Sequence, residues 1–173
     1  MNALNTALQQ TQATTKETIL SLPHQLKAQL PLSTKLAQQI ADQRQTIQNI
    51  LEGKDHRLMI VTGPCSIHDP ISALEYAQKL QQLQSQVSDQ IFLVMRAYIE
   101  KPRTTIGWKG FLYDPNLDNS SNMQLGLEKS RELYLQIIEM GLPIAAEILS
   151  PMATAYFDDL LAWGAIGART SES

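Results

Sequence analysis

The chain has 173 residues, enough for one domain with a real core and too few for two ordinary ones. Hydrophobic residues make up 43% and charged residues 18%, and a net charge of −3 argues against a nucleic-acid-coating surface, so any basic cluster is a local site and not a global field. No apolar run approaches the roughly 18 residues of a membrane span, the amino terminus lacks the basic start and apolar core of a signal peptide, and a single cysteine, Cys65, cannot form an internal disulfide. The expected location is the cytoplasm.

Residues 1–32 are polar, are broken by Pro23 and Pro31, and show no sustained apolar period. They read as an arm outside the main core. Ser33 is placed to cap a helix whose Leu36, Ile40, Ile47 and Leu51 fall mostly at helical spacing, with Gly53 ending it in the left-handed conformation. The division that follows is 1–56 for arm and first helix and 57–173 for the main domain.

From Arg57 onward, strand patterns alternate with helix patterns. The run 58–62 (LMIVT) reads as a buried strand; Asp69 then caps a helix with Pro70 at its first position, and Ile71, Leu74, Ala77, Leu80, Leu83 and Val87 form its face. A second strand, 91–95 (IFLVM), is apolar and β-branched enough to be buried on both sides. After a long loop, a capping box at Ser121 and Gln124 opens a helix that continues to Gly141. The third strand pattern, 143–149 (PIAAEIL), carries one charge, Glu147; Ser150 and Pro151 then start a helix running to about Ala162. A fourth strand is expected at 164–169 (GAIGAR).

Four successive strand-helix units imply a parallel sheet with right-handed crossovers, hence α/β architecture. The choice lies between an open doubly wound sheet and the amino-terminal half, about four βα units, of a (β/α)₈ TIM barrel. No G-x-G-x-x-G and no P-loop follows any strand, which weakens the open, nucleotide-binding version. Polar residues instead gather after each strand: Cys65 and His68, then Arg96 to Lys109, then Glu147, then Arg169 and Glu172. That is the distribution of a barrel working at the carboxyl ends of its strands.

The densest of these clusters is RAYIEKPRTTIGWKG at 96–110. Arg96, Lys101, Arg103 and Lys109 stand against one acid, Glu100, in an otherwise acidic chain. Pro102 fixes the backbone between two cations, as suits a loop that presents them to an anion; the plain alternative is a solvated surface loop. Arg96 and Arg169 would end strands two apart, with Glu147 between them, so both guanidiniums could fork onto one doubly charged ligand. Glu147 reads equally as a partner for one of these arginines. Cys65 with His68 has C-x-x-H spacing, but two donors do not make a metal site, and a lone cysteine is as often an inert small hydrophobe. For His68, beside the helix cap, a local hydrogen bond is expected.

The segments GPCSIHDP at 63–70, RAYIEKPRTTIGWKG at 96–110, AAE at 145–147 and WGAIGARTSES at 163–173 resemble the type I 3-deoxy-D-arabino-heptulosonate 7-phosphate (DAHP) synthases. The resemblance implies a TIM barrel that condenses phosphoenolpyruvate with erythrose 4-phosphate in aromatic amino-acid biosynthesis and needs a divalent metal (manganese, iron, cobalt or zinc). By the same resemblance Cys65 is a metal ligand, and Arg96 a phosphoenolpyruvate ligand. Lys101 reaches the reacting centre, while Pro102, Arg103 and Thr104 form the erythrose 4-phosphate site. Glu147 is the acid beside phosphoenolpyruvate, and Ala168 and Arg169 bind that same ligand. Inhibition by an aromatic amino acid and a homo-oligomer of the full-length enzyme are also implied, with no nucleic acid and no membrane as partner. The family's other metal ligands lie in a carboxyl-terminal half, so the 173-residue chain alone is expected to be inactive. The alternatives are a non-catalytic half-barrel that binds phosphorylated ligands or associates with a homologue, and an unrelated phosphate-binding α/β domain.

Overall fold

The computed structural model describes residues 19–103 and 107–166. Its elements are α1 (Pro23–Gln29), α2 (Thr34–Leu51), β1 (Leu58–Thr62), α3 (Pro70–Val87), β2 (Ile91–Arg96), α4 (Met123–Glu139), β3 (Ile144–Ile148), α5 (Pro151–Thr154) and β4 (Trp163–Ile166). The four strands lie in the order β1-β2-β3-β4, and every pairing is parallel. This is the α/β half-barrel that the alternating patterns imply.

Side-chain alternation along each strand divides the molecule into two apolar layers. On the outer face, Leu93 and Met95 of β2 and Ile144 and Ala146 of β3 join Ala77 and Leu80 of α3 and Leu133, Tyr134 and Ile137 of α4 in one buried cluster. On the inner face, Phe92, Val94 and Ala145 are buried with Ile47 of α2, flanked by Met59, Val61 and Trp163. Helix α2 therefore covers the inner face, while α3 and α4 cover the outer one. Local signals explain where these helices begin: Ser33 Oγ accepts from the Leu36 N–H, and the Asp69 carboxylate accepts from the Ile71 and Ser72 N–H groups. No helix among the described residues is long and apolar enough to cross a membrane.

The arm departs from expectation. Within it, α1 has Pro23 at its first turn, and the Gln25 side chain accepts from the Leu22 N–H. Its Leu26 is fully buried in the outer-face core, a burial that contributes roughly 1.5–3 kcal/mol. Leu20, Leu30 and Leu32 also pack against that core while only partly buried, and their uneven spacing around Pro23 and Pro31 produces no sequence period, which is why the segment reads as an arm. The anchor is reinforced by polar contacts: the Ser21 N–H donates to Gln124 Oε1 at 2.9 Å, and the Tyr156 hydroxyl donates to Ser21 O at 2.7 Å.

Two helix boundaries also differ. The cap of α4 is Asn122, whose Oδ1 accepts from the Leu125 N–H, and not Ser121. Ser121 has φ +52°, which commits it to the preceding turn, and Gln124 bonds Ser21 and Glu128 instead of reaching back. Helix α5 stops at Thr154 instead of running to Ala162. Beyond it, the carbonyls of Tyr156, Asp158 and Leu161 accept from Arg131 and Arg44 side chains, so the chain continues as short turns. Strand β4 ends its described course at Ile166; the expected extension to Arg169 lies outside the described residues.

Candidate functional site

The same alternation that builds the core positions the first site residues. Phe92 and Val94 face inward, so Arg96 at the end of β2 faces inward too; Ala145 does likewise on β3, and with it Glu147. Arg96 pairs in register with Ala145, and Glu147 with Ala165. Both charges thus lie on the inner face at the carboxyl ends of neighbouring strands. Their proximity registers on Tyr98, whose phenol is pushed up by burial and then by the negative charge of Glu147, against the pull of Arg96.

Arg96 is held on a fixed seat. Its Nε and Nη2 both donate to Gly63 O, at 2.8 and 2.6 Å, and its guanidinium lies 5.7 Å from the Tyr98 ring centre. Gly63 has φ +143°, and a Cβ there would stand 2.4 Å from Arg96 O, so the loop after β1 approaches the end of β2 only because this residue is glycine. Among the described residues Arg96 has no carboxylate partner, so of the two arginines offered as partners for Glu147 it is not the one paired, and Arg169 lies outside the described residues.

Next to this inner face the loop after β2 folds back on itself. The Lys101 N–H donates to Lys109 O at 2.9 Å, the Arg103 N–H to Lys101 O at 2.8 Å, and the Leu112 N–H to Ile99 O at 3.1 Å. Gly110, with φ +114°, lets the returning strand of the loop lie against Ile99 and Glu100; a Cβ would come within 2.4 Å of Ile99 O. The result is an open cleft of about 310 Å³ whose lining includes Lys101, Pro102, Arg103 and Lys109 on one side and Leu149 and Ser150, just past β3, on the other. Three cationic side chains from separate positions of the loop meet at one hollow. That arrangement suits an anion with several oxygens, which gains both charge and directed hydrogen bonds from such a set.

Lys101 also connects the cleft to Cys65, its Nζ lying 3.6 Å from the exposed thiol sulfur. His68 goes elsewhere. It lines a separate hollow of about 400 Å³ with Thr62, Ser72 and Tyr76, and its imidazole makes no hydrogen bond among the described residues, contrary to expectation. Nor do three or more His, Cys, Asp or Glu side chains cluster as metal donors among the described residues. A single thiol beside an ammonium is one donor where protein metal centres take three or four, so Cys65 does not by itself constitute a site. Thr104, Ala168 and Arg169 lie outside the described residues.

Two contributors were not singled out by sequence. Glu100 is only 6% exposed, and its Oε1 accepts from the Tyr113 hydroxyl at 2.9 Å. Burial pushes its carboxyl above the ordinary value, while the Tyr113 hydroxyl and the backbone N–H groups of Leu149 and Ser150 pull it back in part. Burial, and then the Glu100 charge, push the Tyr113 phenol up in turn. The signal in the sequence was the one acid inside a run of cations.

Comparison with known proteins follows this geometry. The chain is 53% identical over 159 residues to the Tyr-sensitive phospho-2-dehydro-3-deoxyheptonate aldolase of Escherichia coli strain K12, covering 92% of this chain and 45% of that protein. It is 48% identical over 151 residues to the Phe-sensitive enzyme of the same strain, covering 87% and 43%. The solved structure of phospho-2-dehydro-3-deoxyheptonate aldolase from Francisella tularensis SCHU S4 superimposes with a TM-score of 0.87 at 47% identity, over 92% of this chain and 47% of that one. The chain thus spans about half the length of the relatives it matches. Because the sequence pattern of the DAHP synthetase I family extends over residues 29–173, taking in all four strands and the cationic loop, the chain belongs to that family.

Proposed function

We propose that the chain carries the amino-terminal half of a DAHP synthase active site, in which phosphoenolpyruvate condenses with erythrose 4-phosphate to give DAHP and phosphate. The observation that supports this reading most is the convergence of Lys101, Arg103 and Lys109 on one cleft in the loop that follows Arg96, whose guanidinium is itself fixed on Gly63 O. Two phosphorylated substrates, one also a carboxylate, need several preorganised cations, and groups already held in place stabilise developing charge without reorganising.

Arg96, tied to Gly63 O, keeps its outward N–H groups for phosphoenolpyruvate. Arg103 takes the phosphate of erythrose 4-phosphate with Pro102 and Thr104, and Lys101 places an ammonium at the reacting carbons. Glu147 stands on the inner face next to phosphoenolpyruvate, and Ala168 and Arg169 complete that ligand's contacts. A divalent metal (manganese, iron, cobalt or zinc), when bound, would polarise the aldehyde or orient a water, with Cys65 as one of its ligands. Relatives whose names include Tyr-, Phe- and Trp-sensitive forms support an aromatic amino acid as effector, and the full-length enzyme would act as a cytoplasmic homo-oligomer.

Calorimetric titration of the chain with erythrose 4-phosphate and with phosphoenolpyruvate tests the reading. The expected result is binding of each, reduced by Arg103→Ala and Arg96→Ala respectively, without turnover by the 173-residue chain. Equal heats from wild type and both variants would overturn it. A second reading, a non-catalytic half-barrel that pairs with a homologue, draws on strands β1 and β4, each hydrogen-bonded to only one neighbour among the described residues. Native mass spectrometry showing monomer alone, also in a mixture with a full-length relative, would exclude it.

A further inference from the structure

The acid inside the cationic loop has a position that charge balance alone does not explain. Neutralising surface lysines would need an exposed carboxylate, yet Glu100 is buried, and neither Lys101, Arg103 nor Lys109 forms an ion pair with it. Its hydrogen bond instead ties together two distant points of the loop after β2. Tyr113, thirteen residues further along the loop after β2, donates its hydroxyl at 2.9 Å, and Leu149 and Ser150 past the end of β3 line the same cleft. These residues form both walls of the cleft.

We infer that Glu100 is a positioning residue of the phosphate cleft, clasping Tyr113 to the start of the loop after β2 so that Lys101 and Arg103 are held toward one ligand. The inference rests on the proposed function and deepens it by assigning the residue that sets the spacing of the cations. A buried acceptor that satisfies a hydroxyl fixes geometry more firmly than an exposed ion pair, because removing it leaves that donor without a partner away from water. The adjoining Lys101 cannot shift without Glu100, since one peptide bond joins them and the Lys101 N–H is already committed to Lys109 O.

The test combines two readouts on the chain. Trypsin cleavage after Arg103 and Lys109 reports whether the loop is clasped, and calorimetric titration with erythrose 4-phosphate reports whether the clasp matters for binding. Glu100→Ala is expected to raise cleavage at these two positions about tenfold relative to cleavage after Lys35, and to weaken erythrose 4-phosphate binding about tenfold. Glu100→Gln, which keeps an acceptor of the same shape, recovers most of both. Tyr113→Phe gives a smaller change in the same direction. Unchanged cleavage in Glu100→Ala overturns the clasp, and raised cleavage with unchanged affinity overturns its role in positioning. If wild type binds no erythrose 4-phosphate, the functional reading fails instead, and the cleavage ratio still decides whether Glu100 holds the loop after β2 together. Should Glu100→Ala not fold, Tyr113→Phe, which removes the donor of the same bond, carries the comparison against wild type.

Discussion

Arg131 grips Asp159 with two parallel hydrogen bonds, Nη1 to Oδ1 at 2.9 Å and Nη2 to Oδ2 at 2.7 Å, while its Nε donates to Leu30 O at 2.8 Å and Nη1 also reaches Tyr156 O. One guanidinium with no exposed surface thereby joins the arm, helix α4 and the turns after α5. Removing it strands two carbonyls and leaves Asp159 with only the longer contact to Lys27, so Arg131→Leu should destabilise the chain by about 3 kcal/mol, the lower end of the range for breaking a buried pair from one side because the carboxylate is partly exposed. Urea unfolding followed by circular dichroism measures this.

The pH dependence follows from the same pair. Burial would raise the Asp159 carboxyl, but the hydrogen bonds and charge of Arg131, with Lys27 beyond, hold it below the ordinary value. The folded state therefore binds this proton less tightly than the unfolded chain. The stabilisation is complete above the unfolded value of about 3.9 and is lost as pH falls below it. Asp159→Asn should melt below wild type at pH 7, and the gap should narrow below about pH 4 in a series of thermal melts.

Glu100 has the opposite sign. Burial raises its carboxyl, so the folded state holds that proton more tightly, and charging it costs stability as pH rises above about 4.3. The melting temperature of Glu100→Gln minus that of wild type should therefore increase as pH is raised through the window above that value. A difference that stays flat or falls with rising pH would contradict the burial cause.

Gly110→Ala should disturb the cleft. An added methyl would collide with Ile99 O and the Glu100 backbone, at a φ that side chains rarely adopt. The strain is on the order of 1–3 kcal/mol, relieved by the returning strand of the loop moving away from Lys101. The expected signature is loss of phosphate-ester binding together with a change in the fluorescence of Trp108, whose Nε1 donates to Asp114 O within this loop.

Arg103 is exposed and Arg96 half-buried on its carbonyl seat, so their losses should differ. Replacing Arg103 by alanine removes charged hydrogen bonds of about 1.5–3 kcal/mol, a 10- to 100-fold loss of erythrose 4-phosphate affinity that shrinks as salt screens the exposed site. Arg96→Lys retains the charge but not the two-donor contact with Gly63 O, and phosphoenolpyruvate binding should weaken nearly as much as with alanine. Titrations at low and high ionic strength separate the two.

The strands and the cationic loop were legible because their causes are local: four apolar runs of the right length, Asp69 before Pro70, and four cations within fifteen residues. The docking of Leu26, the bridge through Arg131 and the clasp at Glu100 were not. Each depends on a partner distant in sequence, about 100 residues away for Arg131 with Leu30 and thirteen for Glu100 with Tyr113, and no period or motif records such a meeting. Ser121 failed as a cap for a related reason. Its residue type suits the role, but the turn before it had already fixed its backbone. Among the expected site residues, Arg96, Lys101, Pro102, Arg103, Cys65 and Glu147 are placed by the strands and loop as described, whereas Thr104, Ala168 and Arg169 fall outside the described residues.

The six residues of β2 serve two purposes by parity alone: odd numbers build the layer against the helices, and even numbers run from Phe92 through Val94 to the guanidinium. A one-residue insertion or deletion inside this segment would exchange the two sets, turning Arg96 into the hydrophobic interior and Met95 toward the ligand. Length variation is consequently barred from the strand and confined to the connections, so drift among related sequences should leave this hexapeptide's length untouched while the preceding turn varies freely.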